Sequence, residues 1–170
     1  HLCLSRLLAR ADRRLTTYDV LMGQAGIEDA IMPTRIPGLS IIASTGDLSG
    51  AELELIERER RIDIRIDAWE EYSVHGLNRF SYVLIDCPPS LTLLAVTALA
   101  AADAVMVPLQ CEFFALDGLS QLLKTIERVR SNLNPALEIQ GIVLTMFDRR
   151  NKLSDQVAAD VRENMGAMVY

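Results

Sequence analysis

Four apolar residues in a row, Tyr82, Val83, Leu84 and Ile85, end abruptly in Asp86-Cys87-Pro88-Pro89-Ser90, and no other stretch restricts the possible folds as strongly. An apolar run without alternation suits a strand covered on both faces, as parallel strands in α/β proteins are. Pro88 and Pro89 must stop it, because neither can donate to a ladder and Pro89 pushes its predecessor away from helical angles. Ser90 is placed to cap a helix over residues 91–102. The carboxylate of Asp86 then falls at the carboxyl end of a central strand beside a helix N-terminus, where open α/β sheets bind ligands. A small hard cation such as Mg²⁺ suits an acid there, usually held through water. The plain alternative is that Asp86 is a helix cap or turn residue.

The rest of the composition narrows the class. The chain has 170 residues, half of them apolar and 24% charged, which suits one globular domain burying about 70% of its unfolded surface. No apolar run approaches the ~20 residues that span a bilayer, and no signal peptide is visible, so a cytoplasmic location is expected. Cys3, Cys87 and Cys111 form no C-x-x-C pattern, which suggests small buried hydrophobes rather than a disulfide framework or a zinc site. A net charge of -6 argues against nucleic-acid binding over the whole surface and leaves a local basic patch open.

Along the chain, residues 1–15 mix leucines with arginines and carry no motif. They read as an amphipathic helix or as an undetermined terminal segment ahead of the region 16–170. Thr16-x-x-Asp19 resembles a capping box opening a short helix over 18–22, and residues 27–32 read as a helical turn stopped by Pro33. Pro37-Gly38 marks a turn before a second parallel strand at 39–43. A capping box at 49–52 opens a charged helix. Residues 61–67 alternate like a strand, yet Leu55, Ile62, Ile66 and Trp69 fit one helical stripe, and helix is preferred because good helix formers follow. Residues 104–108 read as a buried parallel strand, 116–133 as a long amphipathic helix closed by Asn134-Pro135, 139–145 as a fourth strand and 154–165 as a final helix. Alternating strands and helices with short connections predict an α/β fold with a doubly wound, mostly parallel sheet flanked by helices.

Three strings stand out together. They are Leu84-Ile85-Asp86-Cys87-Pro88-Pro89-Ser90-Leu91, then Pro108-Leu109-Gln110-Cys111-Glu112-Phe113-Phe114-Ala115-Leu116-Asp117-Gly118-Leu119, and then Leu144-Thr145-Met146-Phe147-Asp148-Arg149-Arg150. In this order and spacing they resemble the ParA/Soj chromosome and plasmid partitioning ATPases, a branch of the deviant Walker P-loop group that includes the MinD cell-division proteins. The resemblance extends from Thr16 to the C-terminus. It implies a P-loop NTPase-like fold and an ATP- and Mg²⁺-dependent dimerisation switch in the cytoplasm at the nucleoid. Such a switch binds DNA without sequence preference and answers to a ParB-type centromere-binding partner, with no membrane involved. By the same resemblance Asp86 would be the acid on Mg²⁺, and Pro88, Pro89, Ser90, Thr145, Met146 and Asp148 would lie near the nucleotide. Gln110, Glu112 and Phe113 would lie near the dimer face, and Arg149, Arg150, Lys152 and Arg162 would contribute to a DNA-contacting patch.

The departures are specific. A phosphate cradle needs glycines that bring backbone amides to the phosphates and a lysine to neutralise them. The lysines here are Lys124 and Lys152, and neither follows a glycine. With G-x-x-x-x-G-K-[ST] absent, the expectation is a chain incomplete at both ends that neither binds ATP tightly nor hydrolyses it, and no catalytic residue is assigned. The alternatives are a nucleotide-free regulator that pairs with an intact ATPase, or a MinD-like membrane-associated switch.

Overall fold

A computed structural model of the chain describes residues 15–48, 50, 54, 79–87, 92–148 and 150–170. The expectations placed on residues 1–14, 49, 51–53, 55–78, 88–91 and 149 lie outside the described residues, among them Pro88, Pro89, Ser90 and Arg149. Two compact units divide the chain, His1–Leu84 and Ile85–Tyr170.

In the first unit the expected capping box forms. The Thr16 backbone amide donates to Asp19 Oδ2 at 2.7 Å and its hydroxyl to the same oxygen at 2.8 Å, opening helix α1 (Thr17–Leu21). These bonds hold the Asp19 carboxyl below its usual range. Gly23, at a φ of 69° that favours glycine, follows the helix. Helix α2 (Ile27–Ala30) buries Ile27 and Ala30, and Pro33 does not simply stop it but sits in strand β1 (Met32–Pro33). The strand expected at 39–43 exists as β2 (Ser40–Ile41), but it pairs antiparallel with β1, Met32 opposite Ile41, rather than parallel. The six residues between β1 and β2 explain the correction, because a parallel pair needs a crossover of about a dozen residues or more. Gly38, with φ 79°, turns that hairpin, and the Thr34 amide closes it on the Leu39 carbonyl at 3.1 Å.

In the second unit helix α3 (Leu93–Ala101) is capped by Thr92, whose hydroxyl oxygen accepts from the Ala95 amide at 3.5 Å. The helix thus starts two residues later than a Ser90 cap would place it, since threonine serves the same capping role and is the residue whose oxygen meets the first-turn amide. Strand β3 (Ala104–Gln110), helix α4 (Ala115–Asn132), strand β4 (Glu138–Thr145) and helix α5 (Lys152–Met165) follow in the expected order. β3 and β4 run parallel from the Ala104–Glu138 pair to the Gln110–Thr145 pair, with one register shift between Val105 and Met106. After a 3₁₀ turn (Gly166–Met168) the chain bridges β4 on its other edge, Val169 beside Ile142. A side chain at Gly141 would collide with the Tyr170 ring, so glycine is required for that approach.

Of the apolar stripe expected on α4, Leu119, Ile126 and Val129 are buried, and Leu122 and Leu123 are half-buried. Val107, Leu109, Ile142, Leu119, Val157 and Val161 form one core cluster, and Leu99, Ile126, Val129 and Leu137 a second, with Leu122 and Leu123 packed against both. Ile126, Leu137, Ile142 and Val161 are sealed from solvent, each contributing about 1.5–3 kcal/mol by burial. β3 is buried on one side only. Val107 and Leu109 face the helices, whereas Met106 is 57% exposed. The apolar run ahead of Asp86 departs further from expectation, because residues 82–87 form no strand and Leu84 is 91% exposed. Among the described residues the parallel ladder pairs β3 with β4, and none of it reaches this run. An apolar composition suited to a two-sided sheet cannot by itself supply the neighbours a strand needs. Cys111 is buried as expected and Cys87 is exposed, in line with the exposure of the run it ends.

Asn134 joins these parts. Its side-chain amide donates to the Leu99 and Ala102 carbonyls at 3.3 and 2.8 Å, while its oxygen accepts from the Ala136 amide at 3.2 Å. Asn134→Ala leaves the end of α3 without these donors and is expected to cost about 1–3 kcal/mol, seen as a lower urea midpoint and faster hydrogen exchange in the last turn of α3. The Asp19 capping box carries a pH signature. Because its folded pKa is depressed, its contribution is complete above the ordinary value of 3.8 and fades as pH falls through the lower folded value. A ¹³C titration of the Asp19 carboxyl should show the depressed midpoint, which Thr16→Val should raise.

Candidate functional site

The carboxyl ends of β3 and β4 lie side by side, since Gln110 and Thr145 are register partners and the Cys111 amide donates to the Thr145 carbonyl at 3.3 Å. Parallel pairing therefore sends the loop after β3 and the loop after β4 out of the same end of the sheet. Gln110 ends β3 and Glu112 and Phe113 follow in the first loop, while Thr145 ends β4 and Met146 and Asp148 follow in the second. Glu112 is exposed, and its carbonyl accepts from the Ala115 amide at 3.0 Å at the start of α4. Phe113 meets Phe114 edge to face, with centroids 5.1 Å apart, and the two rings are 73% and 74% exposed. Phe114 ends the same stretch, from Gln110 to Phe114, that the resemblance places near the dimer face.

Met146 adopts φ 54°, a left-handed conformation uncommon for a residue with a side chain, and is 76% exposed. Nothing in its residue type announces this. Two residues on, Asp148 Oδ1 accepts from the Arg150 amide at 2.9 Å and from its Nε at 3.2 Å, and Oδ2 from Nη2 at 3.2 Å. These bonds hold the Asp148 carboxyl below its ordinary range. Asn151 caps α5 by accepting from the Leu153 amide at 3.0 Å. The buried Ser154 hydroxyl donates to the Cys111 carbonyl at 3.3 Å, tying the first turn of α5 to the loop after β3. Burial pushes the Cys111 thiol up, and the Arg162 charge partly offsets this.

Of the arginine and lysine candidates, Arg150 and Lys152 sit at the start of α5, while Arg162 lies in its last turn, about 15 Å further along the helix axis. Asp86 is solvent-exposed in its irregular segment. Among the described residues no group of three or more His, Cys, Asp or Glu could hold a metal. A lone carboxylate is compatible with Mg²⁺ only when phosphate oxygens and water complete the shell. Among these 170 residues neither lysine follows a glycine, so they supply no glycine-flanked lysine to meet the phosphates of a nucleoside triphosphate. Among the described residues no helix is long and apolar enough to cross a membrane.

A family model described as an AAA domain matches residues 4–139. The chain is 59% identical over 163 residues to the chromosome partitioning protein ParA of Caulobacter vibrioides, an alignment covering 96% of this chain and 60% of that protein. The chain belongs to the ParA/Soj family of partitioning ATPases. It is also 41% identical to the sporulation initiation inhibitor protein Soj of Bacillus subtilis, over 96% of this chain and 63% of that one. Among solved structures it resembles cobyrinic acid a,c-diamide synthase from Mycobacterium smegmatis with bound ATP analog and magnesium. That match has a TM-score of 0.80 and 35% identity, covering 95% of this chain and 65% of the other. The fold is accordingly the α/β P-loop NTPase fold, a parallel sheet flanked by helices. The ParA/Soj chain described here spans about 60% of the length of the curated relatives it matches.

The left-handed Met146 makes a direct test of strain at this end of the sheet. Met146→Gly should be neutral or stabilising by up to about 1 kcal/mol, and Met146→Val destabilising by about 1–2 kcal/mol, because a β-branched side chain tolerates that backbone least. Chemical denaturation midpoints of the two variants, compared with the parent, check both signs.

Proposed function

We propose that this chain contributes to a ParA-type partitioning switch, and the observation that carries the proposal is the 59% identity to C. vibrioides ParA over 96% of its length. In the complete switch, ATP and Mg²⁺ bring two copies together, the dimer holds DNA without sequence preference, and a ParB-type partner triggers hydrolysis and release. Asp86 is the acid that orders Mg²⁺ through water. Thr145, Met146 and Asp148, with Pro88, Pro89 and Ser90, lie toward the nucleotide, and Gln110, Glu112 and Phe113 toward the second copy. The two parallel strand ends supply the support for this arrangement, because they deliver the β3 and β4 loops to one place, where ligands of open α/β sheets bind. Arg150 and Lys152 are the nearer candidates for phosphate contact. Arg150 must first exchange its Asp148 partner, whereas Arg162 would have to act from the other end of α5. The switch works in the cytoplasm, at the nucleoid.

The phosphate-binding part is the missing chemistry. The 170 residues alone are expected to show no Mg²⁺-dependent ATP turnover, and turnover abolished by Asp86→Ala would overturn this. A chimera in which these residues replace the matching stretch of C. vibrioides ParA should hydrolyse ATP in response to that organism's ParB and DNA. Asp86→Ala within it should lower the rate on the order of a hundredfold. A chimera that folds and binds ATP but ignores both ParB and DNA would instead support the nucleotide-free regulator.

A further inference from the structure

A groove of about 780 Å³ runs between α4 and α5, and its chemistry differs from that of the strand ends. Its apolar lining is Leu116, Leu119 and Leu123 of α4 with Val161 and Met165 of α5; Leu119 and Val161 are buried beneath it, and Leu116, Leu123 and Met165 form the surface a partner can touch. Lys124 and Arg128 stand on its rim one helical turn apart, both exposed and neither in an ion pair among the described residues. Glu127 shares that rim, but Arg130 holds it at 2.8 Å. Lys124, Arg128 and Glu127 give the lining a net charge of +1 on a chain whose net charge is -6, and the Glu127 carboxylate is already engaged by Arg130 from outside the groove.

We infer that this groove docks an acidic amphipathic helix of a partner protein. A helix-in-groove contact needs an apolar trough for residues spaced three and four apart, and flanking charges that set orientation. The trough lies between two helices, and Met165 gives it an adaptable wall. The two free cations select acidic flanks, and they repel a basic segment. Nucleic acid fits less well. Two cations would meet phosphate, but the apolar floor would gain nothing from a hydrated backbone. A second copy of this chain is disfavoured by its net negative charge only at long range, so it must be tested as well. The proposal does not depend on nucleotide binding or on Asp86.

The test uses the whole chain with ¹³C-methyl methionine and three fluorescent probes: an 18-residue Leu/Glu amphipathic helix, the same peptide with Lys for every Glu, and a 20-base-pair duplex. The Leu/Glu peptide should bind by anisotropy and shift the Met165 methyl signal. The double variant Lys124→Glu with Arg128→Glu, at exposed positions that should leave the circular dichroism unchanged, should weaken it by about tenfold and improve binding of the Leu/Lys peptide. Leu123→Ala should weaken it without changing the preference between peptides. Equal binding of both peptides, or acidic binding indifferent to the charge reversal, would overturn the proposal. So would a Met165 shift produced by the duplex in place of the acidic peptide, or by raising protein concentration alone, which would make the groove a nucleic-acid contact or a contact between copies.

Discussion

The register between β3 and β4 decides most of what the second unit can do. With Val107 opposite Ile142 and Leu109 opposite Leu144, the inward side chains of both strands meet Leu119, Val157 and Val161. A slip of one residue would turn each of these side chains to the other face. The same register sets where the loops emerge, because the pairing of Gln110 with Thr145 ends both strands at one level. Asn134 and Arg130 guard that register from the opposite end. Arg130 Nε donates to the Leu137 carbonyl at 2.6 Å just before β4 begins, and Asn134 joins the same turn to the end of α3. Packing and loop placement are thus two consequences of one alignment.

Against this ordered pair stands the run from Tyr82 to Ile85, whose composition asks for burial and whose side chains are exposed, as is Met106 on the outer side of β3. Exposed apolar strand-forming segments invite pairing with other chains. Burial of this run therefore depends on contacts beyond those among the described residues. The exposure of Asp86 follows from the same cause. A carboxylate at the tip of a paired strand has its direction fixed by the ladder, whereas one in an unpaired segment does not.

What could be read from the residues was whatever depends on short-range pattern. The 3.6-residue stripe of Leu119, Leu122, Leu123, Ile126 and Val129 located α4 and its buried face, and Thr16 with Asp19 located the cap of α1. The β3 and β4 strands were found within a residue or two by their apolar, β-branched composition. Pairing direction was less legible. The short span across Pro37 and Gly38 already required an antiparallel hairpin, yet the β-branched run after it looked like the parallel strands further on. Exposure was least legible, because Val83 and Val107 are chemically identical and differ only in having neighbours. At the candidate site, the position of Gln110, Thr145 and Asp148 at or just after strand ends is legible in the short strings around them, whereas the left-handed backbone at Met146 and the bond from Ser154 to the Cys111 carbonyl arise from tertiary placement and leave no local trace.

Family membership and chemistry separate cleanly in this chain. Identity of 59% to a partitioning ParA speaks for the sheet, the helices and the loops at the strand ends, since those are what the aligned residues build. Binding a triphosphate asks for something else, a concentration of backbone amides and a cation at one point. Lys124 lies in the middle of α4, on the rim of the groove against α5, and Lys152 at the first position of α5, so neither is carried on a glycine loop that could wrap a phosphate. Near the strand ends Arg150 is already engaged, bound to Asp148 through both carboxylate oxygens. A phosphate arriving there competes with a charge-assisted pair already in place. An anion at that end must therefore displace the Asp148 carboxylate before Arg150 can meet it.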